Sequence, residues 1–309
     1  MCQATSASAI DQPSEDKTPD TDSRLNGLEL PSHIKFSRGI YADTDQVPLP
    51  QTDTIDPSNL VPGHALLLLS DSALPLGSFA YSSGLESYLA HAKLRASSTN
   101  SLAAFLSFLS LSIASTASTS LPYLLAAYRH PEALETIDND MDAATTCIVA
   151  QRASVSQGRA LLSIWARAFR QAYAPDGGSS AAETAKQALE NLFEALKGSD
   201  GNTDELGAKG HFAPLWGAVS LAMGLAVEQA TYVFMVNHAK AVLSAAVRAS
   251  VMGPYRAQSI LASQSLQDMI LERIEREWGT SMEQAGQVVP MLDLWLGRHE
   301  LLYSRIFNS

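Results

Sequence analysis

Apolar residues are sparse and irregular over residues 1–57, where Ser, Thr, Asp and Pro dominate, and they fall into periodic runs only from about Val61 onward. A segment with so little apolar surface cannot offset the entropy lost on ordering. Residues 1–57 are therefore expected to form a disordered extension, and 58–309 the folded domain. The apolar run His64–Leu69 leads into Leu74-Pro75-Leu76-Gly77-Ser78-Phe79. Here Pro75 and Gly77 interrupt any helix, and Ser78 stands where it can cap a helix predicted over Phe79–Lys93. Leu102, Phe105, Leu106 and Leu109 keep the spacing of one helical face, as do Leu161, Leu162, Trp165 and Phe169 in a second stretch. Further helices are predicted over Asp142–Tyr173, Ala181–Lys197, Pro214–Val251 with a break, and Pro254–Trp278. Pro175–Ser180 and Gly198–Gly210 carry the Gly, Pro, Asp and Asn of surface loops. With no alternating run and no hairpin turn, the expected fold class is all-α. It is a single compact multi-helix domain behind a disordered N-terminal extension, its consecutive helices packed as antiparallel neighbours.

At 309 residues and 46% hydrophobic content the chain can bury one sizeable core. The net charge of -11, with no clustered Lys and Arg, argues against nucleic acid as a partner. The two cysteines, Cys2 and Cys147, provide neither a disulfide framework nor a Cys-based zinc site, and the N-terminus lacks the basic and apolar regions of a secretory signal. The expected location is the cytoplasm. Ala96–Tyr128 carries no charge, which raises a membrane span. Ser and Thr crowd both of its ends and leave only Leu102–Ala114 dominantly apolar, the length of a buried helix in a soluble protein, so no membrane partner is expected.

No catalytic set emerges. The seven histidines are His33, His64, His91, His130, His211, His238 and His299, and no two lie within four residues, so one helical turn offers no pair for a metal. Ala80-Tyr81-Ser82-Ser83-Gly84 resembles a nucleophile elbow with Ala in place of the first Gly and without the strand that motif requires. No phosphate-cradling Gly-Lys-Ser/Thr sequence occurs, and Glu272, Glu275 and Glu277 alternate with Arg273 and Arg276 as a solvated, ion-paired face. What stands out is a set of polar and aromatic residues without catalytic company: Tyr81, Arg152, His211, Arg248, Gln258, His299, Tyr303 and Arg305. Arg and Tyr are the side chains that most often anchor protein interfaces.

Four blocks, in order, resemble the urease accessory protein F family. They are Leu74–Glu86; Arg152-Ala153-Ser154 with Gly158 and Leu161-Leu162; Gly210–Gly217 continuing into Ser244–Arg248, Gly253-Pro254 and Gln258; and the ending His299–Ser309. Tyr81 stands where many relatives have histidine. The resemblance implies an all-helical homodimer that bridges the urease accessory proteins D (also called H) and G, the latter a GTPase. Such a complex regulates GTP hydrolysis and delivers nickel to apo-urease. No catalytic, cofactor or metal-binding residue is implied for this subunit.

On that footing His299, Tyr303, Arg305, Ile306 and Phe307 are expected to bind the D/H-type protein. Tyr303, Ile306 and Phe307 share the i, i+3, i+4 spacing of a helix that lies in a groove, and Arg298–Ser309 is expected to be exposed or disordered before the partner arrives. Tyr81, Arg248 and Gln258 are the candidates for a surface facing the GTPase or a nickel path. The alternatives are a helical hydrolase using His211 with Glu228, and a helical adaptor unrelated to urease.

Overall fold

Helical periodicity is realised along most of the described chain. The computed structural model describes residues 61–95, 101–173, 179–198 and 207–308, all within the unit Ile55–Ser309, and among these there is helix and turn but no strand. The expected extension 1–57 and most of the Gly198–Gly210 loop lie outside the described residues.

The described helices are α1 Val61–Ser70, α2 Leu85–Arg95, α3 Ser101–Arg129, α4 Leu134–Ala144, α5 Ile148–Ile164 and α6 Ser180–Gly198. They continue with α7 Phe212–Ala222, α8 Val227–Arg248, α9 Pro254–Leu261, α10 Gln264–Glu277 and α11 Pro290–Arg298. The centre is α7, buried at every position from Ala213 to Ala222 and packed by α3, α5, α6 and α8. It approaches α3 backbone to backbone, since a Cβ on Gly217 would stand 2.3 Å from the Leu124 carbonyl oxygen. Trp216 is fully buried and donates its indole N–H to Ala230 O at 2.9 Å. Each large apolar side chain buried in this way contributes about 1.5–3 kcal/mol.

The 29-residue helix α3 contains the charge-free stretch. It is long and apolar enough to cross a membrane, yet half of its most apolar window is buried in the fold, against α7, α8 and α10. The expected apolar piece Leu102–Ala114 was too short, because the helix runs on through Ser115–Ser120. Two of those hydroxyls are satisfied within it, Ser118 Oγ and Thr119 Oγ1 both donating to Ser115 O, and Thr116 Oγ1 bonds His238 Nε2. Pro122 sits inside α3 and cannot donate to the Ser118 carbonyl. The N–H of Gly286, in the loop before α11, occupies that carbonyl instead at 3.3 Å.

Several predicted boundaries move. The helix expected over Phe79–Lys93 begins only at Leu85, because φ is positive at Gly77, Ser83 and Gly84. Ser78 is not its cap: it donates to Gln157 Oε1, and Ser82 Oγ accepts the Glu86 N–H. Asp142–Tyr173 is not one helix. It breaks after α4, where Thr145 Oγ1 donates back to Met141 O, and it ends in a π-turn at Trp165–Phe169. The break expected within Pro214–Val251 falls at Gly224, where the N–H groups of Gly224 and Leu225 close the end of α7 on Leu221 O and Ser220 O.

Candidate functional site

The segment Leu74–Glu86 and the chain end meet on one side of the bundle. Helix α11 packs against α2 through Trp295, whose ring stands edge-on to Tyr88 at 4.6 Å, and this contact delivers the last residues beside Glu86. His299 is fully buried and bonds through Nε2 to Glu86 Oε2 at 2.8 Å; the Glu86 side chain is 13% exposed. Glu86 also accepts the backbone N–H of Ile306 at 2.8 Å and of Phe307 at 3.3 Å, and Asn308 N–H reaches Ala80 O at 2.8 Å. From α5, Arg152 pairs with Glu300, and its hydrogen bond holds that carboxyl below the usual range. From the end of α8, Arg248 donates to Phe79 O and lies over the Phe307 ring, 4.4 Å from its centroid.

This arrangement corrects the expectation for the ending. Over residues 299–308 the ending is neither loose nor α-helical: a single 3-10 turn at His299–Leu301 gives way to bends that fold back on the molecule. The N–H groups of Ile306 and Phe307 go to a carboxylate, so Tyr303, Ile306 and Phe307 share no helix face. Phe307 and His299 turn inward, whereas Tyr303, Arg305 and Ile306 are exposed, as is Leu301.

Tyr81, Arg248 and Gln258 line one cavity of about 730 Å³ beside the docked ending. Hydroxyls of Ser112, Ser115, Thr116 and Thr119 on α3 face it, and so does His238 of α8. His238 Nε2 bonds Ser112 Oγ at 2.9 Å and Thr116 Oγ1 at 3.1 Å. Burial pulls its pKa down to about 4, against a smaller upward contribution from Ser112, so the ring is neutral near pH 7. Among the described residues no group of three or more His, Cys, Asp and Glu is placed to hold a metal ion.

His211 lies elsewhere, at a buried junction. Asp138 accepts the N–H groups of Lys209, Gly210 and His211, which fixes the entry to α7. His211 Nε2 bonds Asp142 Oδ1 at 2.9 Å and Nδ1 meets Ser154 Oγ at 3.0 Å; that hydroxyl also accepts Phe212 N–H. The expected pairing of His211 with Glu228 is not formed. Glu228 is exposed in the first turn of α8.

Sequence reasoning gave Glu86, Glu300 and His238 no role. Glu86 was visible only as the last residue of the first block, and a lone histidine or one glutamate of many carries no local mark of a distant partner.

The four sequence blocks thus meet: Leu74–Glu86 against the ending, Arg152 on Glu300, and Arg248 on Phe79 and Phe307. A match to the family profile described as UreF spans residues 98–265. A Schizosaccharomyces pombe protein described as an uncharacterized urease accessory protein UreF-like is 37% identical over 246 residues, which is 80% of this chain and 97% of that one. The chain belongs to the UreF family. Urease accessory protein F of Oryza sativa subsp. indica is 31% identical over 242 residues, 77% of this chain and 82% of its own. Urease accessory protein UreF of the bacterium Paenarthrobacter aurescens is 26% identical over 245 residues, 79% of this chain and 97% of its own. These UreF relatives are named as accessory proteins and not as enzymes. The UreF profile match contains Arg152, Arg248 and Gln258 and leaves Tyr81 and the ending outside it.

Proposed function

We propose that this UreF-family chain is the scaffold subunit of a cytoplasmic urease-maturation complex. It bridges a D/H-type accessory protein and the G-type GTPase, regulates GTP hydrolysis, and supports nickel insertion into apo-urease as a homodimer. The folded domain, residues 58–309, carries this role. One observation supports the reading above the rest. Apart from His211, the polar and aromatic residues without catalytic company gather on one side, where Arg152, Arg248 and His299 fasten the ending and leave Tyr303, Arg305 and Ile306 turned outward. Large aromatic and aliphatic groups displayed on a braced backbone are the make-up of an interface anchor. The D/H-type protein is assigned to the ending, and the GTPase or the nickel path to the cavity rim at Tyr81, Arg248 and Gln258.

Reconstitution tests this. The full chain should co-purify with the D-type protein and the GTPase and restore urease activation, whereas a chain ending at Leu296 should lose the D-type protein. Equal capture by the shortened chain removes the assignment.

A second reading has one observation in its favour: Ser154, His211 and Asp142 are linked in the order of a hydrolase triad. In the scaffold reading the same three groups cap and tether α7. Covalent labelling of Ser154 by a fluorophosphonate, lost in Ser154→Ala, would favour the hydrolase.

A further inference from the structure

We propose that Glu86 is the positioning residue of the chain end, a clasp that sets the geometry in which the last residues meet their partner. The inference rests on the interface reading above. A carboxylate that accepts two consecutive backbone N–H groups and an imidazole N–H takes three directional, charge-assisted bonds at once. All three donors belong to the ending, and the acceptor belongs to the first turn of α2, more than two hundred residues earlier. The bond from His299 puts a ring proton on Nε2, and Nδ1 is buried without a partner. The imidazole therefore has one polar attachment in the fold, and it is Glu86.

The bonds also dictate which side chains face outward. Residues 306 and 307 form a bend, the shape that lets two consecutive N–H groups reach one carboxylate. Tying the N–H groups of Ile306 and Phe307 to one carboxylate sends Phe307 inward, under Arg248, and leaves Ile306 outward, 62% exposed. Tyr303 is fully exposed on the same stretch. Arg152–Glu300 and the Arg248 stack brace this arrangement from α5 and α8, but each holds one side chain. Only Glu86 holds backbone and side chain together. A segment fixed before encounter does not lose that freedom on binding, so its anchors bind more tightly than the same residues on a free strand.

The test uses the full chain with Glu86→Gln, which keeps the size of the side chain but sets an NH2 against two N–H donors. Hydrogen exchange read at the Ile306 and Phe307 amides should accelerate at least tenfold, while the amides of α7 stay protected as a check on folding. Capture of the D-type accessory protein should weaken about tenfold although Tyr303 and Ile306 are intact. Glu86→Asp, which keeps the charge but shortens the reach, should fall between. Unchanged exchange at Ile306 and Phe307 overturns the clasp, and faster exchange with undiminished capture overturns its positioning role. The interface reading fails separately, if Tyr303→Ala with a slow-exchanging ending captures the partner as well as the parent chain.

Discussion

In the interior, Asp138 gathers the N–H groups of Lys209, Gly210 and His211; at the chain end, Glu86 gathers those of Ile306 and Phe307 and the ring N–H of His299. Each has a fully buried histidine beside it that bonds a carboxylate. The surroundings differ. Asp138 is fully buried between α4 and the α7 entry, and a Cβ on Gly158 of α5 would stand 2.1 Å from Gly210 O, so the junction has no room to move. The Glu86 clasp closes over a bent segment whose outer side is open to solvent. The same chemistry thus locks a core in one place and shapes a surface in the other. Removing it should cost stability in the first and binding in the second.

The largest effect is expected for Asp138→Ala. It strands the buried N–H groups of Gly210 and His211 and frees the part-buried one of Lys209, a loss of about 3–5 kcal/mol in denaturant unfolding. Gly158→Ala forces the new Cβ into the Gly210 and His211 backbone and should cost about 3 kcal/mol by the same measurement. His238 belongs to neither region and separates their acid response from its own. Its ring is neutral in the fold down to about pH 4, whereas in the unfolded chain it takes up a proton below about pH 6.5. Stability should therefore fall as pH drops from about 6.5 to 4, by at most about 3 kcal/mol because the ring keeps contact with the cavity. His238→Asn should flatten that slope. Glu86→Gln is expected to lower global stability by less, about 1–2 kcal/mol, since the Ile306 N–H regains water and the Gln side chain keeps one acceptor oxygen for the buried donors. Tyr303→Ala should stay within about 0.5 kcal/mol of the parent chain while losing partner capture. Equal stability losses for Asp138→Ala and Glu86→Gln would break the comparison.

Helices were legible where burial imposes a 3.6-residue period, as at Leu102–Leu109 and Leu161–Phe169. Their ends were legible only where Gly or Pro marks them. The break after α4 lies in the backbone of Thr145, which leaves the helix at φ -88° and ψ 89°, and nothing in the residue type requires that. The Ser/Thr run of α3 read as an end because these residues often leave helices for local bonds, but here the carbonyl one turn back and His238 absorb them. At the site, the grouping of Tyr81, Arg248 and Gln258 followed from the blocks that contain them, and they line one cavity. The shape of the ending did not follow. Spacing at 303, 306 and 307 fits a helix, whereas the distant carboxylate of Glu86 holds residues 306 and 307 in a bend.

Pro122 has a consequence of another kind. By leaving Ser118 O without its helical donor, it opens a socket in the middle of α3, into which the loop before α11 plugs through Gly286 N–H. Two stretches far apart in the chain are thereby wired to one atom. Give position 122 an amide hydrogen and the helix and the loop become rivals for the same oxygen.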